Sequence, residues 1–320
     1  MAIEERAAGV RSAGDRRFGG LIPRLFQPID NASVAFFRIA FGLTCFFHIW
    51  GILELQRIQN RLRDAPFLMS YPGLGWLPRL PGDLMLVVYF SLAGAAVLIM
   101  LGLFYKPAII FFFVAHTYVI HLDQSLAWNH YYLVTLFAFL MIFIPANSAH
   151  SLDVVWRGLP AASTVPAWAL WVLRAQMGLT YFFAGLAKLN SDWLAGHPMG
   201  SFLAGENSFP YISPLFNEHW VALLLSWAGA GFDLLIVPLL LWHRTRILAL
   251  TAAISFHLIN SLIFDIEVFP WFAITATLLF LSPGCLERSV CGITIPFPTS
   301  DRRRYRTIGI SCDRHRKPAA

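Results

Sequence analysis

The sequence predicts an all-α, polytopic integral membrane protein, a helical bundle of about eight transmembrane helices, with seven and nine as the bounds. Three observations predict it. The 320 residues are 57% hydrophobic, 15% aromatic and only 13% charged, a balance outside the range of soluble domains. Apolar runs near the ~20 residues needed to cross a ~30 Å hydrocarbon core recur along the chain. Short connections rich in proline, asparagine and arginine separate them.

Charge divides the chain into three parts. Residues 1–30 form a basic cytoplasmic segment, 31–284 the transmembrane domain, and 285–320 a basic tail expected to be without structure. The formal net charge of +6 lies largely in the two ends. That pattern fits retention of positive charge beside anionic lipid and excludes nucleic acid as a partner. The first ~30 residues have no apolar h-region, so no cleavable signal peptide is expected and the first span serves as its own anchor. Cys45, Cys285, Cys291 and Cys312 show neither CxxC spacing nor a disulfide framework.

Taken in order, Ala32 to Leu55 is the first span, with Arg38 near its inner end, where snorkelling to the headgroups is expected. Gln56 to Gly82 carries Pro66, Pro72, Pro78 and Pro81 around Trp76, which predicts a lid or interfacial loop because repeated prolines break helix. Asp83 to Phe104 is the second span, and a turn at Tyr105-Lys106-Pro107 leads into a third that ends near His121. The fourth runs from about His130 to Ile144 and is closed by Pro145. Entered through Val165-Pro166, the fifth runs from Trp171 to Leu194 and carries Arg174, Gln176, Tyr181 and Lys188. A polar loop, Ala195 to Glu218, follows. Trp220 to Trp242, Ile247 to Phe264 and Val268 to Leu281 are the sixth, seventh and eighth spans.

Lysine and arginine in the connections predict a cytoplasmic amino terminus, with the first outer loop, carrying Arg57, Arg61, Arg63 and Arg79, as the exception; the plasma (inner) membrane is the expected location. His121, Asp123, Trp128, Asn129, His130 and Lys188 then gather at the outer level of the bundle.

Charged residues inside spans are costly, roughly +2.5 to +3.5 kcal/mol at a helix centre on insertion scales, and face a protein interior. For Lys188 two readings stand side by side. It pairs with Asp192 at i+4 as a structural cation, or burial disfavours its charged form and leaves a nitrogen able to take a proton. Asp233 and Arg174 are expected in ion pairs, with each other or with other buried partners. His257 and Asn260, at i and i+3, line a cavity or hydrogen-bond neighbouring helices. His116, His121 and His130 form no HExxH pattern, and no metal site is expected.

The segments MLGLFYK (100–106), LDQSLAWNHYYL (122–133), VPAWALWVLRAQ (165–176), YFFAGLAKLNSDWLAGHPM (181–199) and FHLINSLIF (256–264) resemble, in that order, the vitamin K-dependent gamma-glutamyl carboxylases. They resemble equally the bacterial relatives with the horizontally transferred transmembrane (HTTM) domain. The resemblance implies that Lys188 is the base that deprotonates reduced vitamin K or menaquinone, with oxygen and carbon dioxide as co-substrates. The oxygenated quinone then takes a proton from the γ-carbon of a glutamate, and the carbanion adds carbon dioxide. His130 is implied to assist the carbanion and Asn129 to bind substrate beside it. Trp128, His257 and Asn260 are assigned to substrate binding, and Asp123, Arg174, Asp192 and Trp193 to support. A glutamyl peptide or small molecule is the expected substrate, and the lipid bilayer and the quinol are the other partners. Two departures stand out: the chain ends at Ala320 where full-length carboxylases continue into a large outer domain, and Ala187-Lys188 replaces a LysLys pair. A non-catalytic membrane module binding a lipid, a quinone or a partner protein is the alternative.

Overall fold

The computed structural model describes residues 22–54, 67–126, 128–158, 160–204, 211–264 and 266–281, with the backbone of 294–298 and 305–309. Eight long helices carry the fold: α1 Ala32–Glu54, α2 Gly82–Leu101, α3 Tyr105–His121, α4 Asn129–Phe143, α5 Ala167–Ala187, α6 His219–Leu241, α7 Arg246–Ile263 and α8 Phe269–Thr277, the last extended by one 3₁₀ turn, Leu278–Phe280. They fall where the eight apolar runs predict them, with one exception at the end of α5. By length and composition α1, α2, α6 and α7 are each able to cross a membrane alone, and α4 and α8 are shorter apolar helices.

Two short strands, β1 Pro28–Asp30 and β2 Thr164–Pro166, pair antiparallel with Ile29 opposite Val165. They fix the starts of α1 and α5 side by side, so these helices leave the same end of the bundle in the same direction. Asn31 reinforces the junction through Ser148 Oγ at 2.9 Å. Within the basic tail, β3 Thr294–Pro298 and β4 Tyr305–Gly309 pair antiparallel. The rest of that tail, Cys285, Cys291 and Cys312 included, lies outside the described residues, as do residues 55–66 of the proline-rich connection.

The end of the bundle that holds these starts is densely hydrogen-bonded. Helix α2 stops at Gly102, which takes φ 64° and ψ 34°, and the Leu103 N–H returns to Leu98 O at 3.0 Å, the double bond pattern that glycine-terminated helices favour. Any Cβ at Gly102 would also stand 2.5 Å from Ser151 Cβ. Helix α3 starts three residues later under a borrowed cap: Asp153 accepts from the amides of Phe104 at 2.9 Å and Tyr105 at 3.1 Å. A carboxylate here satisfies orphan donors and meets the positive end of the helix dipole. At the opposite polarity, Lys106 Nζ donates to Ile144 O at 3.1 Å, and Tyr105 Oη to Met141 O at 2.8 Å, where the last carbonyls of α4 lack intrahelical partners.

Arg38 belongs to the same network, which corrects the snorkelling expectation. It is fully buried and donates to the last carbonyls of α2, Ile99 O at 2.9 Å and Met100 O at 2.8 Å, and to His150 O. A guanidinium can remain at 0% exposure because three acceptors converge on it.

Between the ends runs an aromatic core. Phe37 and Phe41 of α1 meet Phe112 of α3, Phe137 of α4 and Phe272 of α8, with ring centroids 5.1 to 5.9 Å apart, the range in which tilted aromatic pairs attract. Close backbone approach tightens it further: a Cβ at Gly42 would lie 2.6 Å from Ala96 O. Helices α5, α6 and α7 pack beside this core.

Candidate functional site

Helix α5 ends earlier than its apolar pattern predicts, and one asparagine is the reason. Asn190 sits in extended backbone, φ −125° and ψ 162°. Its Nδ2 donates to Ala187 O at 2.8 Å, and its Oδ1 accepts from the Trp193 amide at 2.9 Å. A single side chain thus closes α5 and caps a new short helix, Ser191–Leu194. The sequence signal was present in Asn190-Ser191-Asp192, an N-cap residue followed by a residue suited to a first turn.

This break removes the expected partner of Lys188. Lys188 is the residue after the last of α5, and Asp192 stands on the next helix, exposed, so i+4 geometry does not apply. The amine instead forms an ion pair with Asp233 of α6. Its side chain is 23% exposed and that of Asp233 7%. The Nζ also lies 5.2 Å from the centroid of Trp193, within cation–π range. Trp193 is held in turn by its Nε1 donating to Ser226 O at 2.9 Å, and Trp227 Nε1 reaches back to Leu194 O at 3.1 Å. Trp193 therefore forms one side of the amine's surroundings, which combine a carboxylate and an indole.

The depth of the pair also differs from expectation. Asp233 is fourteen residues from the start of α6 and eight from its end, roughly 21 Å and 12 Å along the axis. Lys188 therefore meets α6 well inside its length and not at its first turn. The start of α6 is covered by short helices, His197–Leu203 and Ser213–Phe216, through Met199, Leu203, Phe216, Val221 and Ala222. The segment expected as a polar loop is thus partly helical, with residues 205–210 outside the described set.

Two turns before Lys188, Tyr181 is buried against the last two spans. Its hydroxyl lies 2.7 Å from His257 Nε2 and 3.1 Å from Thr277 Oγ1. Thr277 spends its own proton on Ala273 O at 2.7 Å, so its oxygen is an acceptor. His257 is 1% exposed, ringed by Phe232, Phe256 and Phe269, and its Nδ1 has no partner. Of the two readings for this histidine, the hydrogen bond between helices is what the structure contains. Asn260, one turn on, is half-buried.

Arg174 does not pair with Asp233. Fourteen residues separate Arg174 from Lys188, roughly 21 Å along α5. Its Nε donates to Leu279 O at 2.9 Å, and the guanidinium carbon lies 5.3 Å from the Trp171 centroid and 5.7 Å from that of Phe280.

The His130 hairpin lies at the end of the bundle where α5 finishes. Trp128, exposed and in extended backbone, precedes α4, and Asn129 is its first residue, also exposed. His130 is 7% exposed, with Nε2 unpartnered and its ring 4.5 Å edge-on to Tyr131 and 5.7 Å from Trp128. Asp123 is buried and accepts from the Ser125 amide at 2.9 Å, which stabilises the turn before α4. Tyr131 Oη donates to Glu267 in the α7–α8 connection, and the His48 ring of α1 lies 5.1 Å from the Tyr131 ring, tilted against it. Below them His116 Nδ1 and Thr135 Oγ1 lie 2.8 Å apart, and Thr135 bonds to Tyr131 O at 3.1 Å. Sequence reasoning missed Asp233 as the partner of Lys188 and missed this thread of His116, Thr135, Tyr131 and Glu267. Each is a lone polar residue in an apolar helix or a connection, and a lone residue does not announce its partner.

No hydrogen bond or ring contact among the described residues joins His130 to Lys188. Contacts link them indirectly, from Tyr131 and Glu267 through Phe269, two residues on, to His257, Phe232 and the neighbouring Asp233. Among the described residues no group of three or more His, Cys, Asp and Glu side chains could hold a metal ion.

No solved structure matches the chain. A family model for the HTTM domain matches residues 26–284, which takes in all eight long helices, the Lys188–Asp233 pair and the His130 hairpin. The chain is an integral membrane protein of the HTTM domain family, the domain of vitamin K-dependent carboxylase-like proteins.

Proposed function

We propose that the protein is a membrane-embedded, quinol-dependent, carboxylase-like enzyme, with Lys188 as the base toward the quinol and His130 as the assistant at the carbon acid. The observation that carries this reading is Lys188 itself. An amine at the resemblance's base position is half-buried within the span of α6, against Asp233 and the Trp193 ring. Reduced vitamin K or menaquinone, with oxygen, would supply the strong base that removes the glutamyl γ-proton. The chain's residues suit such a lipophilic molecule. Phe182, Phe183, Leu186 and Leu189 expose apolar surface beside Lys188, and Phe232, Phe256 and Phe269 pack around His257. A site shielded from bulk water protects strongly basic species from protonation. The unpartnered His130 Nε2 is a group able to hold or give a proton at the second reactant. Exposed Trp128 and Asn129, with Asn260, are the substrate-binding side chains of this reading. The site faces the outer side of the plasma membrane, with the amino terminus cytoplasmic.

The test is reconstituted protein with reduced menaquinone or vitamin K, oxygen, carbon dioxide and a glutamyl peptide, read out as quinone epoxide and carboxylated product. Lys188→Ala is expected to lose about 100-fold or more, and His130→Ala to lose carboxylation. Equal turnover of wild type and Lys188→Ala would remove the lysine from the chemistry.

A second reading, a non-catalytic module that binds a lipid, a quinone or a partner protein, is favoured by the absence of direct contact between His130 and Lys188. Saturable quinol binding without epoxide or carboxylated product supports it, and detectable epoxide excludes it.

A further inference from the structure

We propose that Asp233 is the positioning partner of Lys188 and takes up the amine's proton when the site is dry. The inference rests on the reading of Lys188 as a base and goes beyond it. Four observations converge on this carboxylate. It is 6% exposed on a helix whose nearest other buried residues, Gly229, Ala230 and Ile236, are apolar, and burying a carboxylate without a partner is prohibitively costly. Its partner is the lysine. Helix α5 ends one residue before Lys188, so the amine is carried by a helix terminus and needs a tertiary contact to fix it. Finally, Gly185 and Leu234 lock the two helices in close approach three residues before Lys188 and one after Asp233.

The proton balance is simple. With water present the pair is an ammonium and a carboxylate. When an apolar molecule displaces that water, separated charges lose their solvation and the neutral pair gains. The Nζ–H bond breaks, an O–H bond forms on Asp233, and the net charge stays zero. A free amine is then presented to the weakly acidic hydroxyl of the entering molecule. When it takes that proton, the new ammonium stands beside the new anion while Asp233 remains neutral. Of the other ionisable groups on the packed elements, Tyr181 of α5 and His257 of α7 bond to each other, Arg174 is held at Leu279 O and Arg246 at Leu240 O, while Asp192 and His197 on the short helices are exposed.

Two measurements test this on the full chain in liposomes. The first is competitive acylation by acetic anhydride at neutral pH, read by mass spectrometry. The sequence contains three lysines, Lys106, Lys188 and Lys317, so Lys106 serves as internal reference. Asp233→Asn is expected to raise acylation of Lys188 relative to Lys106 by about 5-fold or more, because the ammonium loses its carboxylate. Asp192→Asn is expected to leave the ratio unchanged, and an unchanged ratio in Asp233→Asn overturns the proposal. The second is quinone epoxide formation against pH. Asp233→Asn is expected to fall about 100-fold at neutral pH and to recover as pH rises, since the proton must now leave to solvent. Asp233→Glu is expected to restore the wild-type pH profile. A wild-type rate and profile in Asp233→Asn overturns the proposal. A wild type that makes no epoxide, with acylation changed as expected, keeps the pair and removes the reaction reading instead.

Discussion

Gly185 of α5 and Leu234 of α6 approach so closely that a Cβ on the glycine would lie 2.7 Å from Leu234 Cγ and 3.1 Å from its amide nitrogen. This contact sets how Lys188 stands over Asp233. Gly185→Ala is expected to push the helices apart, to cost about 1–3 kcal/mol of stability as overpacking does, and, under the proposed function, to lower epoxide formation with it. Leu234→Ala in the Gly185→Ala background is expected to restore both. Thermal unfolding in detergent and turnover of the single and double variants check this, and a fully stable, fully active Gly185→Ala contradicts it.

Arg38 holds three carbonyls from two other segments. Arg38→Met removes every donor at once and leaves Ile99 O, Met100 O and His150 O without it. The expected loss is roughly 3 kcal/mol or more, seen as low yield and an early melting transition. Arg38→Lys, with a shorter reach and no planar fork, is expected to recover only part of it.

The Tyr181 hydroxyl is the contact that His257 makes to α5. Tyr181→Phe leaves a buried imidazole with neither nitrogen partnered, at a cost of about 1–3 kcal/mol. Replacing both partners, as in Tyr181→Phe with His257→Leu, is expected to be milder than the single change, because no polar atom is then stranded. A double-mutant cycle on melting temperature measures the difference.

His150 gives a pH signature outside the spans. Burial, and then the Arg38 guanidinium, hold its imidazole below the ordinary value of 6.5, with Asp30 opposing them. The unfolded chain therefore binds this proton first as pH falls below 6.5, and the folded state loses stability until its own lower titration point is passed. His150→Asn removes that contribution and keeps a residue tolerant of the φ of 48° found there. Melting temperature from pH 7 down to 5 is expected to fall less steeply in the variant than in wild type.

Most of the fold was legible because apolar run length is a direct physical constraint: a helix that crosses lipid needs its residues in one stretch. The bounds of α1, α2, α4, α6 and α7 follow from it within a few residues. The end of α5 was not legible from hydropathy, because Leu189, Trp193 and Leu194 continue the apolar pattern through a break made by the side chain of Asn190. Burial of Arg38 depends on acceptors 61 to 112 residues away, and a charge near a helix end looks the same whether it snorkels or is enclosed. For the site, the sequence supplied the ionisable residues of the spans but not their pairing. Asp233 could meet Arg174 or Lys188, and only the relative slide of α5 and α6, set by Gly185, selects between them.

Among the described residues, one end of the bundle is stitched by the buried side chains of Arg38, Asp153 and Asn31 together with Lys106, whereas at the other end the segment after Lys188 is held by the side chains of Asn190, Trp193 and Trp227, none of them fully buried. Local opening should therefore be graded along the helix axes. Amides around Gly102 and Tyr105 will exchange with deuterium last and those from Leu189 to Leu203 first. The stitched end acts as a pivot, and the amplitude of motion grows with distance from it, so the region around Lys188 can widen for a bulky lipid while the starts of α1 and α5 stay fixed.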